Sequence, residues 1–96
     1  MSTRQKGLTK LQEQIVDALA DDYEDMEQIR NLIGVRATDR QIQEALWALL
    51  AEGYVAGYSS TKTAMKRITR PERPQLGSYW FALTKKGEQL FSALQA

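Results

Sequence analysis

Five cations, Lys62, Lys66, Arg67, Arg70 and Arg73, fall within twelve residues against the single acid Glu72. Such a cluster attracts phosphate and displaces its condensed counterions. Between Glu13 and Arg30 the balance reverses, with Glu13, Asp17, Asp21, Asp22, Glu24, Asp25 and Glu27 set against Arg30 alone. That segment repels phosphate, so the formal net charge of +1 conceals two oppositely charged regions. The remaining chemistry is sparse. With neither cysteine nor histidine, the chain has no disulfide, thiol nucleophile, ordinary zinc site or imidazole acid/base. The acids lack the glycine turn and terminal bidentate glutamate of a calcium loop, and no nucleophile accompanies them. No glycine-rich loop opens a helix to cradle a phosphate. A non-enzyme that needs no cofactor or metal is the expectation.

The elements that must position these residues follow from periodicity. Ninety-six residues with 43% apolar content suit one domain with one core, expected over 8–96 behind a flexible start at 1–7. Leu8, Leu11, Ile15 and Leu19 predict a first helix from about Leu8 or Thr9 to Ala20. Met26, Ile29, Leu32 and Ile33 share one side of a second, starting near Asp25 and broken by Gly34. Thr38 and Gln41 have the spacing of a reciprocal helix cap and open a third helix over 38–52. In it Ile42, Ala45, Leu46, Leu49 and Leu50 occupy a sector of roughly 140° that faces the core.

Beyond Gly53, the stretch Tyr54-Val55-Ala56-Gly57-Tyr58 reads as a strand, with Gly57 marking a possible bulge. Thr61 to Thr69 is its hairpin partner, and Arg70 to Gly77, with its two prolines, is an exposed loop tip. From Ser78 to Leu83, Tyr79, Phe81 and Leu83 alternate with Trp80 and Ala82 on opposite strand faces. Thr84 then caps a closing helix bearing Leu90, Phe91 and Leu94. No apolar run approaches the roughly 20 residues that span a bilayer, and the start Met1-Ser2-Thr3-Arg4-Gln5-Lys6-Gly7 has no secretory apolar segment. A cytoplasmic protein without a membrane partner is expected.

Two segments, Leu49-Leu50-Ala51-Glu52-Gly53-Tyr54-Val55 and Phe81-Ala82-Leu83-Thr84-Lys85-Lys86-Gly87, make the chain resemble bacterial winged helix-turn-helix proteins. The broad class includes the multiple-antibiotic-resistance, phenolic-acid and arsenical regulators. The first segment matches the usual end of the recognition helix and the second the strand-to-helix junction after the wing; the likeness spans nearly the whole chain. It implies an α+β, mainly helical fold: a three-helix bundle with a β-hairpin wing, here about 54–84, and a C-terminal helix. The stretch from Ser59 to Ser78 exceeds the family minimum, and Pro71 and Pro74 imply an extended, partly mobile arm.

The function implied is a small transcriptional regulator that binds double-stranded DNA with helix 38–52 in the major groove. Arg40, Gln43, Glu44 and Trp47 would then face the bases, Arg40 suiting guanine and Gln43 adenine. Arg36, Thr38 and Gln41, at the helix start, would meet phosphates or base edges, unless Thr38 and Gln41 serve only as caps. Helix 38–52 is itself net acidic, so affinity must come from the wing, whose Lys62, Lys66, Arg67, Arg70 and Arg73 would lie on the phosphate backbone. The alternative is a winged-helix interaction module that does not read DNA. Trp47 and Trp80, both off their core faces, would then meet a protein partner or a second copy, as in a homodimer, aided by the acidic first helices.

Overall fold

Three of the four α-helices among the described residues start in the same way. In the computed structural model, which describes residues 8–34 and 37–95, Thr9, Asp25 and Thr38 each accept a hydrogen bond from the backbone N–H three residues on. Gln12, Gln28 and Gln41 reciprocate through their side-chain oxygens at 2.8, 3.0 and 2.9 Å. Each box satisfies two donors that would otherwise be orphaned, which fixes where α1 (Lys10–Ala18), α2 (Met26–Ile33) and α3 (Asp39–Ala51) begin. Gly34 and Gly53, at φ of 97° and 81°, turn the chain out of α2 and α3 through the left-handed region that glycine adopts freely.

The fold is α+β and mainly helical, with one four-stranded antiparallel sheet in the order β1-β4-β2-β3. The strands are β1 (Glu24–Asp25), β2 (Val55–Ser60), β3 (Met65–Arg67) and β4 (Trp80–Leu83). Strand β4 lies between two partners, Phe81 opposing Glu24 on one side and Gly57 on the other. Helices cover the Phe81 side: Ile15, Val16, Ile29, Ile42, Leu46 and Leu49 join Val55 and Phe81 in one core. Helix α4 (Lys85–Gln95) adds Leu90.

Several expectations change. Gly57 makes no bulge, because the β2–β4 register runs unbroken from Val55 to Tyr58. Its missing side chain instead admits the Tyr79 ring, which a Cβ would touch at 3.4 Å. The segment 70–77 is largely exposed as expected, but it is not the tip of the hairpin. Arg73–Ser78 forms a 3-10 helix with proline near its start, where a fixed φ suits helical entry, and Leu76 is buried in the core. The Glu72 N–H donates to Tyr79 Oη at 3.0 Å and ties the segment down. The hairpin tip is instead Thr61 to Ala64, closed by the Thr61 hydroxyl on the Ala64 backbone. Leu32 leaves the α2 core face and stands 60% exposed. The flexible start assigned to 1–7 lies outside the described residues.

At the junction after β4, Thr84 N–H donates to the Tyr54 carbonyl at 3.0 Å, and Thr84 Oγ1 accepts from Gly87 N–H at 3.0 Å. This cap presses the first turn of α4 onto the residue before β2 so closely that a Cβ on Gly87 would collide with the Tyr54 carbonyl. Gly87→Ala therefore costs about 1–3 kcal/mol of unfolding free energy in a urea titration. Gly77→Ala, which enters open space, stays within about 0.5 kcal/mol.

Burial, with Asp22 and Asp25 nearby, raises the Glu24 carboxyl above its ordinary value of 4.5. A raised carboxyl favours the folded state when protonated. Its contribution is complete below 4.5 and is lost as pH rises through the raised value. Thermal melts should show Glu24→Gln more stable than the parent at about pH 7, with the two converging as the pH falls below that of an ordinary glutamate.

Candidate nucleic-acid interface

Arg40, Glu44, Trp47 and Ala51 lie within roughly 60° on the side of α3 opposite its core residues. Glu44 organises this face. One carboxylate oxygen stands 3.7 Å from Arg40 Nε and 3.3 Å from Arg73 Nη2, so a base from the segment after the hairpin is held against the helix. Asp39, at the start of α3, pairs with Arg30 of α2 at 3.1 Å. At the other end, Lys86 Nζ donates to the Glu52 carbonyl at 2.6 Å and lies over the Tyr54 ring. The acidic balance of helix 38–52, counted along the chain, is thus offset in space by Arg30, Arg73 and Lys86. The contributions of Arg30 and Lys86 were missed because nothing local in sequence ties them to α3.

Arg40 is 88% exposed at its side chain, and Gln43 is exposed beside it. Thr38 and Gln41 are occupied by their cap, which leaves the Gln41 amide N–H groups and the Thr38 hydroxyl proton as free donors. Arg36 lies outside the described residues. Among the bases of the hairpin, Lys62 sits in the tip turn, while Lys66 and Arg67 are exposed on β3. The register places Lys66 opposite Ser59 and Arg67 opposite Tyr58, so the two point to opposite sides of the sheet. Lys66 falls on the Phe81 side, which α3 also covers, and Arg67 on the Trp80 side. Arg70 is exposed, and none of Lys62, Lys66, Arg67 or Arg70 has an ion-pair partner among the described residues.

The two indoles are not brought together. Trp47 is half-buried against the core and, with Leu50, Ala51 and Pro71, lines a small apolar depression under the post-hairpin segment. Trp80 is half-buried in β4 between Asp25 and Tyr58, and Tyr58 meets the edge of Tyr23 with ring centroids 4.9 Å apart. Among the described residues no group of histidine, cysteine or acidic side chains is arranged to hold a metal ion, and no helix is long and apolar enough to cross a membrane.

Arg73 can reach Glu44 because Leu76 anchors its segment, whereas an exposed ion pair adds little by itself. In urea denaturation Leu76→Ala should cost about 2–5 kcal/mol and Arg73→Ala less than about 1 kcal/mol. Comparison of the chain with protein-family models, with curated proteins and with solved structures finds no match.

Proposed function

We propose that the chain is a winged-helix DNA-binding protein and acts as a small transcriptional regulator. The order helix, short strand, two helices, hairpin, strand and helix supports the fold reading, with α3 as the recognition helix and β2–β3 as the wing. The observation that carries the functional reading is the Glu44 carboxylate, which draws Arg73 from beyond the hairpin to the exposed face of α3 beside Arg40. Arg40 and Gln43 offer the forked donor and amide groups that read purine edges in a major groove. Lys62, Lys66, Arg67 and Arg70 supply the phosphate contacts that α3 lacks.

Glu44 has a defined part in this scheme. Unpaired, its carboxylate would repel phosphate; paired, it holds two guanidinium groups ready and can accept from a cytosine amino group in the groove. Lys66 faces the same side as α3 and contributes more than Arg67, which faces away. If about four phosphate contacts form, log K falls against log salt with a slope of about −3.6.

Fluorescence anisotropy with a labelled random duplex at two salt concentrations tests the reading. Binding should be salt-sensitive, and Lys66→Ala should reduce the slope by about 0.9 and weaken affinity more than Arg67→Ala. Absence of salt-dependent binding, or indifference to both substitutions, rejects a DNA-binding role.

A further inference from the structure

On the other side of the molecule α1, α2 and α4 leave an open groove of about 630 Å³. Its apolar lining is Leu32, 60% exposed, with the half-buried Ile33, Phe91 and Leu94. The same lining includes the carboxylates of Glu13, Asp17, Asp21 and Glu24 and the single amine of Lys10. Among the described residues none of these four acids makes an ion pair or a side-chain hydrogen bond. An exposed leucine in the company of these acids combines an apolar anchor site with a field of mainly one sign.

We propose that this groove docks a basic amphipathic helix of another protein. The inference is independent of DNA binding and uses none of the residues assigned to it. Charge complementarity selects the occupant, because the carboxylates repel nucleic acid and favour lysine or arginine flanking an apolar side. The neighbouring sheet edge, β1, is only two residues long and too short to template an added strand, so a helix with leucine-like anchors at i, i+3 or i+4, and i+7 fits the site. A second copy of the chain is a poor match. Its cationic stretch forms a hairpin and a 3-10 helix, and none of its described helices carries bases along one side. The volume lies within the range of clefts that enclose a few large side chains.

The test is an NMR and calorimetric titration of the full chain with a synthetic leucine–lysine peptide of about 18 residues, its leucines spaced to fall on one helical side. Controls are a scrambled peptide of the same composition and a version with glutamate in place of lysine. The proposal expects saturable binding of the amphipathic basic peptide alone, with shifts at Leu32, Phe91 and Leu94. Leu32→Lys, at an exposed position that tolerates the change, should weaken binding about tenfold. Asp17→Lys should weaken it by a smaller factor that grows at low salt. Lys66→Ala should leave peptide binding unchanged, which separates this result from the duplex result. Equal binding of the scrambled peptide, no saturable binding, or indifference to Leu32→Lys overturns the proposal. So does a dimer in sedimentation that Leu32→Lys dissolves, which would assign the groove to a second copy.

Discussion

Strand β4 has to enter between β1 and β2 after the chain has travelled out along the hairpin and back. That return is the constraint on which the rest of the molecule turns. Phe81 is buried at the centre of the sheet and pairs on both sides, so the residues before it must cross the body of the protein rather than trail into solvent. Leu76 makes the crossing favourable by filling the core through a single 3-10 helix, and Tyr79 continues it by packing its ring over Gly57. The same crossing carries Arg73 to Glu44 and Pro71 to Trp47. Apolar burial worth several kcal/mol thus sets the position of a charge pair worth much less.

Charge is divided between two sides of this frame. Lys62, Lys66, Arg67, Arg70 and Arg73 lie in the hairpin and the segment after it, while Glu13, Asp17, Asp21 and Glu24, none ion-paired among the described residues, line the groove of α1, α2 and α4. Separation of this kind gives the molecule one region rich in bases and another rich in acids.

Much of the helical frame was legible because its signals are local. The spacing of Thr38 and Gln41, the glycines Gly34 and Gly53, and the periodicity of Ile42, Ala45, Leu46 and Leu49 each concern residues within a turn or two of one another. The strand holding Phe81 was legible through alternation. Strand β1 was not, since two residues cannot display a period, and its pairing depends on β4 more than fifty residues away. The prolines of 70–77 were rightly read as marking exposed chain, yet they also suit the first turn of a helix, and Leu76 alone of that segment turns into the core. Leu32 fitted the helical period of α2 but lies beyond the reach of the core, which local spacing does not reveal. At the candidate site, the exposure of Arg40, Gln43 and Lys66 followed from their elements, while the Arg73–Glu44 contact required the complete fold.

On the proposed reading, α3 and the cationic hairpin engage duplex DNA together. Backbone amide shifts recorded while a short duplex is added address it most directly, because they report which surface is touched. Concerted shifts are expected at Arg40, Gln43, Lys62 and Lys66, with Asp17, Leu32 and Leu94 unmoved. Shifts confined to the hairpin, shifts on the acidic side, or an unchanged spectrum would contradict it.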